Sequence, residues 1–376
     1  MVVSRLAYDI SRVETVDVAV IGGGVVGLAT ARAVAAPNLT VCLLERHPRP
    51  GMETSTHNSG VMHAGIYYPA GTLKARLCVD GLRRLYEYCE ARRVPHARIG
   101  KLVLAEPTQL STLDTLLKRG RENGAIDLQL VDEDFVKRRE PHVRPLPGIY
   151  SPSTGIIEAE ALVRALASDC TERGVIVLPG TSLRAAEPRG GGFELDTPHE
   201  KFHARVVVNA AGLFADEVSS LLGGEAFRVY PVRGEYAVLT RSKSALVKAL
   251  VYPLPPASGH SIGTHLTKTI GGDVLIGPTA RYQLGKDDYE HDRLPVSAFV
   301  DEARHLLPGI TADDLRLAGS GIRAKLHPPE DSFADFMIRR DRNQPTVIQV
   351  AGIDSPGLTS CLAIGEMAAE LAREAL

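Results

Sequence analysis

Apolar and polar positions fall in ordered blocks along this chain, and the clearest block begins at residue 16. Val16-Asp-Val-Ala-Val-Ile21 reads as an apolar strand, Gly22-Gly-Gly-Val-Val-Gly27 as a glycine turn, and a helix of small residues follows. Leu39-Thr-Val-Cys-Leu-Leu-Glu45 is then a second strand ending in an acid. This order predicts a βαβ unit. Further on, Leu73, Leu77, Leu82, Leu85 and Cys89 recur on one face and predict a helix over 72–92. Residues 158–173 form a second amphipathic helix, closed by Gly174. Short strands are predicted at 175–178, 182–186, 193–196 and 204–209, with turn residues between them that include Gly190-Gly-Gly192. The run Arg205-Val-Val-Val-Asn-Ala-Ala-Gly212 has the unbroken apolar character of a parallel strand buried on both faces. A β-rich block covers 227–278, where Gly271-Gly272 reads as a hairpin turn between strands at 267–270 and 273–276. A strand at 346–351 and a helix at 360–376 complete the pattern.

The spacing Gly22-x-Gly24-x-x-Gly27 fits a dinucleotide fingerprint. Gly22 makes the tight turn, Gly24 lets backbone approach a pyrophosphate, and Gly27 lets the helix lie close on the strand. The phosphates then meet the unpaired N–H groups at the helix start. Glu45, eighteen residues after Gly27, stands where an acid accepts from a ribose hydroxyl. The fold class is therefore α/β: a Rossmann-like (βαβ) cofactor domain interleaved with a second, mainly antiparallel-sheet substrate domain. Residues 14–90, 150–225 and 320–376 are assigned to the first and 91–149 and 226–319 to the second.

Bulk properties narrow the function classes. The 376 residues exceed the usual size of one core. A net charge of −2 gives no electrostatic drive toward nucleic acid or an anionic membrane. No run of 18 apolar residues occurs, so no transmembrane helix is expected. Cys42, Cys78, Cys89, Cys170 and Cys361 make no CxxC pair and no metal-ligand spacing, so no metal is expected. Their odd number suits reduced thiols and a cytoplasmic setting. The first fifteen residues carry Arg5 and Arg12 beside Asp9 and Glu14 without an apolar centre. That is a poor secretory signal and a weak mitochondrial one.

The segment Glu53-Thr-Ser-Thr-His-Asn-Ser-Gly-Val-Met-His-Ala-Gly-Ile-Tyr-Tyr68, followed by Gly71-Thr-Leu-Lys-Ala-Arg-Leu-Cys78, resembles the block after the second strand in L-2-hydroxyglutarate dehydrogenases and oxidases. These are FAD enzymes of the D-amino-acid-oxidase-like (DAO) superfamily. Arg233-Gly-Glu-Tyr236, Gly263-Thr-His265, Gly321-Ile-Arg323 and Ser355-Pro-Gly-Leu-Thr-Ser360 are similar to later blocks of that family, in the same order. The resemblance spans nearly the whole chain from residue 16. It implies non-covalently bound FAD and oxidation of an L-2-hydroxy acid to the 2-oxo acid by hydride transfer to flavin N5. The alternative within the same fold is an amino-acid or amine oxidase of the glycine or sarcosine oxidase type. A different class, a flavoprotein that serves protein binding, would show no turnover. The stretch 252–259 is shorter and more apolar than the family pattern, and 266–270 matches it in part.

Thr56, His57, Asn58, Ser59 and Gly60 offer small donors and an exposed backbone for a diphosphate or ring edge. Ala211 and Gly212 end the returning strand. Ser355, Gly357, Leu358 and Thr359 lead into the last helix, whose positive end favours charge at a flavin pyrimidine; a plain helix cap is the other reading. Alcohol oxidation needs a base, for which His63 and His265 are the candidates within the resemblance blocks. Each could also be a buried histidine bonded to a carbonyl. Arg323 matches the arginine that grips the substrate carboxylate, a role suited to a guanidinium fork. Arg233 and Lys268 are candidates for a second anchor, with Tyr67, Tyr68 and Tyr252 as hydroxyl donors. The partner is a small-molecule substrate; the electron acceptor (oxygen, a quinone or an electron-transfer flavoprotein) is left open, as is oligomeric state.

Overall fold

The computed structural model describes residues 15–255 and 263–376; residues 256–259 of the apolar stretch noted above, and residues 1–14 with Arg5, Asp9, Arg12 and Glu14, lie outside the described residues. Thr15–Ile21 runs through the middle of an eight-stranded sheet, parallel to Val41–Glu45 on one side and to Lys201–Asn209 on the other. Ile176–Pro179 extends the sheet beyond Val41–Glu45. Lys201–Asn209 divides its far edge between two partners. Its first half pairs antiparallel with Gly192–Asp196, and Val207 to Asn209 pair parallel with Val347–Ala351. Val206, Val207 and Val208 are fully buried, which the continuous apolar run anticipated.

Alternation along Thr15–Ile21 sends Val18 and Val20 toward one core, and Ala19 and Ile21 toward another on the opposite face, which Val16 at the strand's start also joins. Helices Val25–Val34, Leu73–Arg92, Ala159–Glu172 and Gly357–Ala375 pack into the first core, and Leu113, Leu116 and Leu117 of Leu110–Glu122 extend it. Their close approach depends on small residues. A Cβ on Gly365 would stand 2.7 Å from the Ala29 carbonyl carbon, and one on Gly81 would stand 2.6 Å from the Thr359 carbonyl oxygen. The helix at Leu73–Arg92 starts on a cap in which Ala75 N–H donates to Thr72 Oγ1 (3.2 Å).

The second sheet has nine strands, mostly antiparallel. Its order is Arg281–Tyr282, Tyr230–Leu239, Val274–Gly277, His265–Lys268, Leu250–Pro253, Lys101–Leu104, Gly148–Ser151 and Gln129–Val131, with Leu315–Lys325 paired to Tyr230–Leu239. The only parallel pair of its described strands joins Leu250–Pro253 to Lys101–Leu104. Leu315–Lys325 stays with this sheet along its whole length, so a boundary at residue 320 passes through a strand. The hairpin at Gly271-Gly272 forms with Lys268 opposite Val274, but its strands are His265–Lys268 and Val274–Gly277 rather than 267–270 and 273–276. Two further elements move. The strand expected at 182–186 lies at Ala185–Arg189, because the Gly190-Gly191 turn sets Arg189 opposite Gly192. The last helix begins at Gly357 rather than 360, which puts Leu358 and Thr359 inside its first turn.

Candidate active site

Between the two sheets lies one elongated cavity of about 770 Å³, within the usual range of cofactor sites. At one end it is lined by Gly22, Gly24, Val25 and Glu45. Gly22 sits at φ +111°, in left-handed space that favours glycine, and a Cβ there would lie 2.5 Å from the Ala210 carbonyl oxygen. Gly27 does not line the cavity: a Cβ on it would overlap the Gly22 carbonyl oxygen, so this glycine seats the helix on the turn. Ser55 Oγ accepts from Val25 N–H (3.0 Å), the first N–H of the helix, and Gly24 at the N-cap offers no side chain of its own. The carboxylate of Glu45 accepts from Gly23 N–H through Oε2 and from His47 N–H through Oε1, both at 2.8 Å. Each of these oxygens retains a second lone pair, and Glu45 lines the cavity.

His57, Asn58, Ser59, Ala211, Gly212, Ser355, Gly357 and Leu358 also line this space. Three other residues expected to touch the cofactor do structural work behind it. Thr56 Oγ1 donates to the Gly51 carbonyl (2.6 Å). Gly60, at φ +66°, packs where a Cβ would meet the Ile157 carbonyl at 2.5 Å. Thr359 is fully buried; its Oγ1 accepts from His63 N–H (3.0 Å) and donates to the Val61 carbonyl (3.2 Å). That hydroxyl fixes the backbone on which His63 stands.

At the far end His63, His265, Arg323, Tyr67, Tyr68 and Tyr252 meet on the same cavity. His63 Nε2 is 3.3 Å from Ser355 Oγ, which is 3.4 Å from Tyr68 Oη. His63 Nδ1 is buried with no hydrogen-bond partner among the described residues. Burial, and then the charges of Lys101 and the neighbouring His265, hold His63 well below the usual imidazole range. His265 stacks on Tyr252, with ring centroids 3.8 Å apart, and its Nδ1 donates to the Gly263 carbonyl (2.8 Å). Nε2 is thereby left as the lone-pair nitrogen. Burial pushes His265 down to about 3, with Lys101 and Arg323 adding to it against the Gly263 carbonyl. Both rings are therefore neutral near pH 7. Arg323 Nη1 donates to the Thr279 carbonyl (3.2 Å), and Gly234 on the neighbouring strand leaves room for the guanidinium, since a Cβ there would come within 2.8 Å of both Nη atoms.

The two proposed second anchors are elsewhere. Arg233 is fully buried in the sheet, 3.0 Å from Glu235 Oε1 and 3.6 Å from Asp288 Oδ1, and does not reach the cavity. Lys268 Nζ donates to the Ser244 carbonyl (2.7 Å), also away from it. Arg233 and Glu235 are two apart on one strand, so alternation already placed them on one face as a pair.

Other groups appear in their place. Lys101 stands at the start of Lys101–Leu104, between Leu250–Pro253 and Gly148–Ser151, and is fully buried. Its Nζ lies 4.6 Å from the Tyr67 ring centroid and 4.9 Å from that of Tyr252, with no hydrogen-bond partner among the described residues. Burial pushes this lysine down to about 7. Lys74, Lys325 and Asp354 line the cavity near Arg323. A lysine at a strand start is usually solvated, and only the neighbouring strands bury Lys101.

The glycine turn, the helix start at Val25 and Glu45 at one end, and the helix start at Gly357 farther along, suit the diphosphate, ribose and ring of FAD. The chain matches the family model described as DAO, FAD dependent oxidoreductase, over residues 17–371. It is 32% identical over 415 residues to the mitochondrial L-2-hydroxyglutarate dehydrogenase of Nematostella vectensis, covering 96% of this chain and 91% of that one. It is 30% identical to the L-2-hydroxyglutarate dehydrogenase of Indibacter alkaliphilus, covering 95% and 98%. Among solved structures, the FAD-bound L-alpha-glycerophosphate oxidase from Mycoplasma pneumoniae superposes with a TM-score of 0.87 at 27% identity, covering 96% and 95%. No helix of the described residues is long and apolar enough to cross a membrane. The chain belongs to the DAO family of FAD-dependent oxidoreductases, and FAD is its cofactor.

Proposed function

We propose that this enzyme oxidises L-2-hydroxyglutarate to the 2-oxo acid. The observation that carries the reading is the meeting of two neutral histidines and a lightly engaged arginine at one end of the cavity, in a chain whose relatives are named for that substrate. FAD, when bound, supplies the hydride acceptor. Arg323 has one carbonyl contact and keeps guanidinium N–H groups for the carboxylate beside the hydroxyl. That ion pair orients the substrate's C2. The hydroxyl proton goes to an imidazole nitrogen: Nε2 of His265, or His63, whose Nε2 meets Ser355. The Tyr67 hydroxyl and Tyr68 are buried, and burial raises both phenols, so they remain protonated donors. The five buried, unpaired cysteines suit a reducing compartment, and a cytoplasmic location is part of this reading.

The test is anaerobic titration of the FAD-loaded enzyme with L-2-hydroxyglutarate, its D-enantiomer, L-lactate, glycine and sarcosine, read as loss of flavin absorbance. Rapid bleaching by the L-2-hydroxy acid is expected. Bleaching by the amines alone would select the amine oxidase reading instead.

A further inference from the structure

Beyond Arg323 the cavity wall carries charges that neither the cofactor end nor the histidines use. Lys325 follows Arg323 by two positions on Leu315–Lys325, so the two share one face of the strand. The alternate residues, Ile322 and Ala324, pack into a separate apolar cluster with Leu213 and Val229. Arg323, Lys325, Lys74 and Asp354 all face the cavity, three cations against one carboxylate. That carboxylate is taken. Lys74 Nζ sits 2.7 Å from Asp354 Oδ1, with both side chains under a tenth exposed. Lys325 Nζ stands back at 3.8 Å from Asp354 Oδ2 and 3.2 Å from His327 Nε2. It is a mostly buried ammonium whose one nearby carboxylate is already paired, and an arrangement of this kind calls for another anion. Burial lowers its affinity for a proton, with Lys74 and Arg323 adding to the effect against the pull of Asp354.

We propose that Lys325, supported by Lys74, anchors a second carboxylate on the substrate, so that the strand reads the separation between two acid groups. The inference rests on the oxidation reading above and assigns to Lys325 the distal role that Arg233 and Lys268 do not fill. Two residues along a strand span about 6.6 Å. The carboxyl carbons of an extended five-carbon diacid, joined by four bonds of about 1.5 Å, lie about 5 Å apart. One ion pair at each end fits that span.

The experiment compares L-2-hydroxyglutarate with L-2-hydroxyvalerate, which has the same carbon count and no distal carboxylate. Both are followed by anaerobic flavin reduction in FAD-loaded wild type, Lys325→Met and Lys325→Arg. Wild type is expected to favour the diacid in kcat/KM by about 30-fold or more. Lys325→Met should remove most of that preference, chiefly through KM, while Lys325→Arg restores it. A ratio near one in wild type overturns the anchor without any variant. So does a Lys325→Met enzyme that retains its FAD and its diacid preference. If no 2-hydroxy acid reduces the wild-type flavin, the oxidation reading falls first and this inference with it.

Discussion

Replacing Lys101 with Met tests whether its buried charge tunes the site. The lysine is fully buried between the Tyr67 and Tyr252 rings, with no hydrogen-bond partner among the described residues. Its pKa falls from the usual 10.5 to about 7 because burial disfavours the ammonium. At about 1.36 kcal/mol per tenfold change, that drop corresponds to a penalty of about 5 kcal/mol for holding the charge in the folded state. The penalty is complete below pH 7. It is relieved between pH 7 and 10.5, where the folded protein has shed a proton that the unfolded chain still binds. Met fills a similar volume without charge, so Lys101→Met should stabilise the FAD-loaded protein at pH 6 by about 1–4 kcal/mol, with a smaller gain at pH 9.5. Urea unfolding at the two pH values measures both numbers. The charge also depresses His63 and His265, after burial itself. Without it both imidazoles gain protons more readily, and the acid limb of kcat/KM should move to higher pH. A Met variant that is less stable at pH 6, or whose acid limb does not move, would refute the reasoning.

Three further outcomes are expected. His63→Gln should lower the rate of flavin reduction by about 10²–10⁴-fold while the protein stays yellow, as measured by stopped flow; an unchanged rate would leave His265 as the base. Arg323→Leu should weaken substrate binding by about 2–5 kcal/mol through loss of a desolvated ion pair, visible as a rise in KM. Gly27→Ala places a methyl group into the Gly22 carbonyl, so the purified protein should contain little FAD, judged from the ratio of flavin to protein absorbance.

The cofactor half of the molecule was largely legible in the sequence because it is built from local patterns. A continuous apolar strand, a glycine turn and a terminal acid determine their own geometry and place Glu45 at the turn, whereas the contact of Ser55 with Val25 comes from a segment 30 residues on and was not anticipated. The substrate end depends on strands distant in sequence. Lys101 is interior because Leu250–Pro253 and Gly148–Ser151 flank it on either side. Lys74 reads as the polar side of an amphipathic helix, yet that helix starts at the cavity and the lysine turns inward to Asp354. Arg233 was read as a candidate anchor; its spacing from Glu235 put the two on one strand face, and the surrounding structure buries them there as a pair.

The division of the Lys201–Asn209 edge has a consequence for biosynthesis. Half of that edge waits for Val347–Ala351, and the helix Gly357–Ala375 covers Val25–Val34 and supplies Thr359 beneath His63. The ribosome makes the glycine turn more than 300 residues before the segments that finish its sheet and seat the histidine. During translation the nascent chain therefore holds an apolar strand and helix without their final neighbours. A prematurely terminated product lacking residues 347–375 would lose the cofactor half and the support of His63 together, and should meet chaperones or proteases as an unfinished protein rather than persist as a weakly active one.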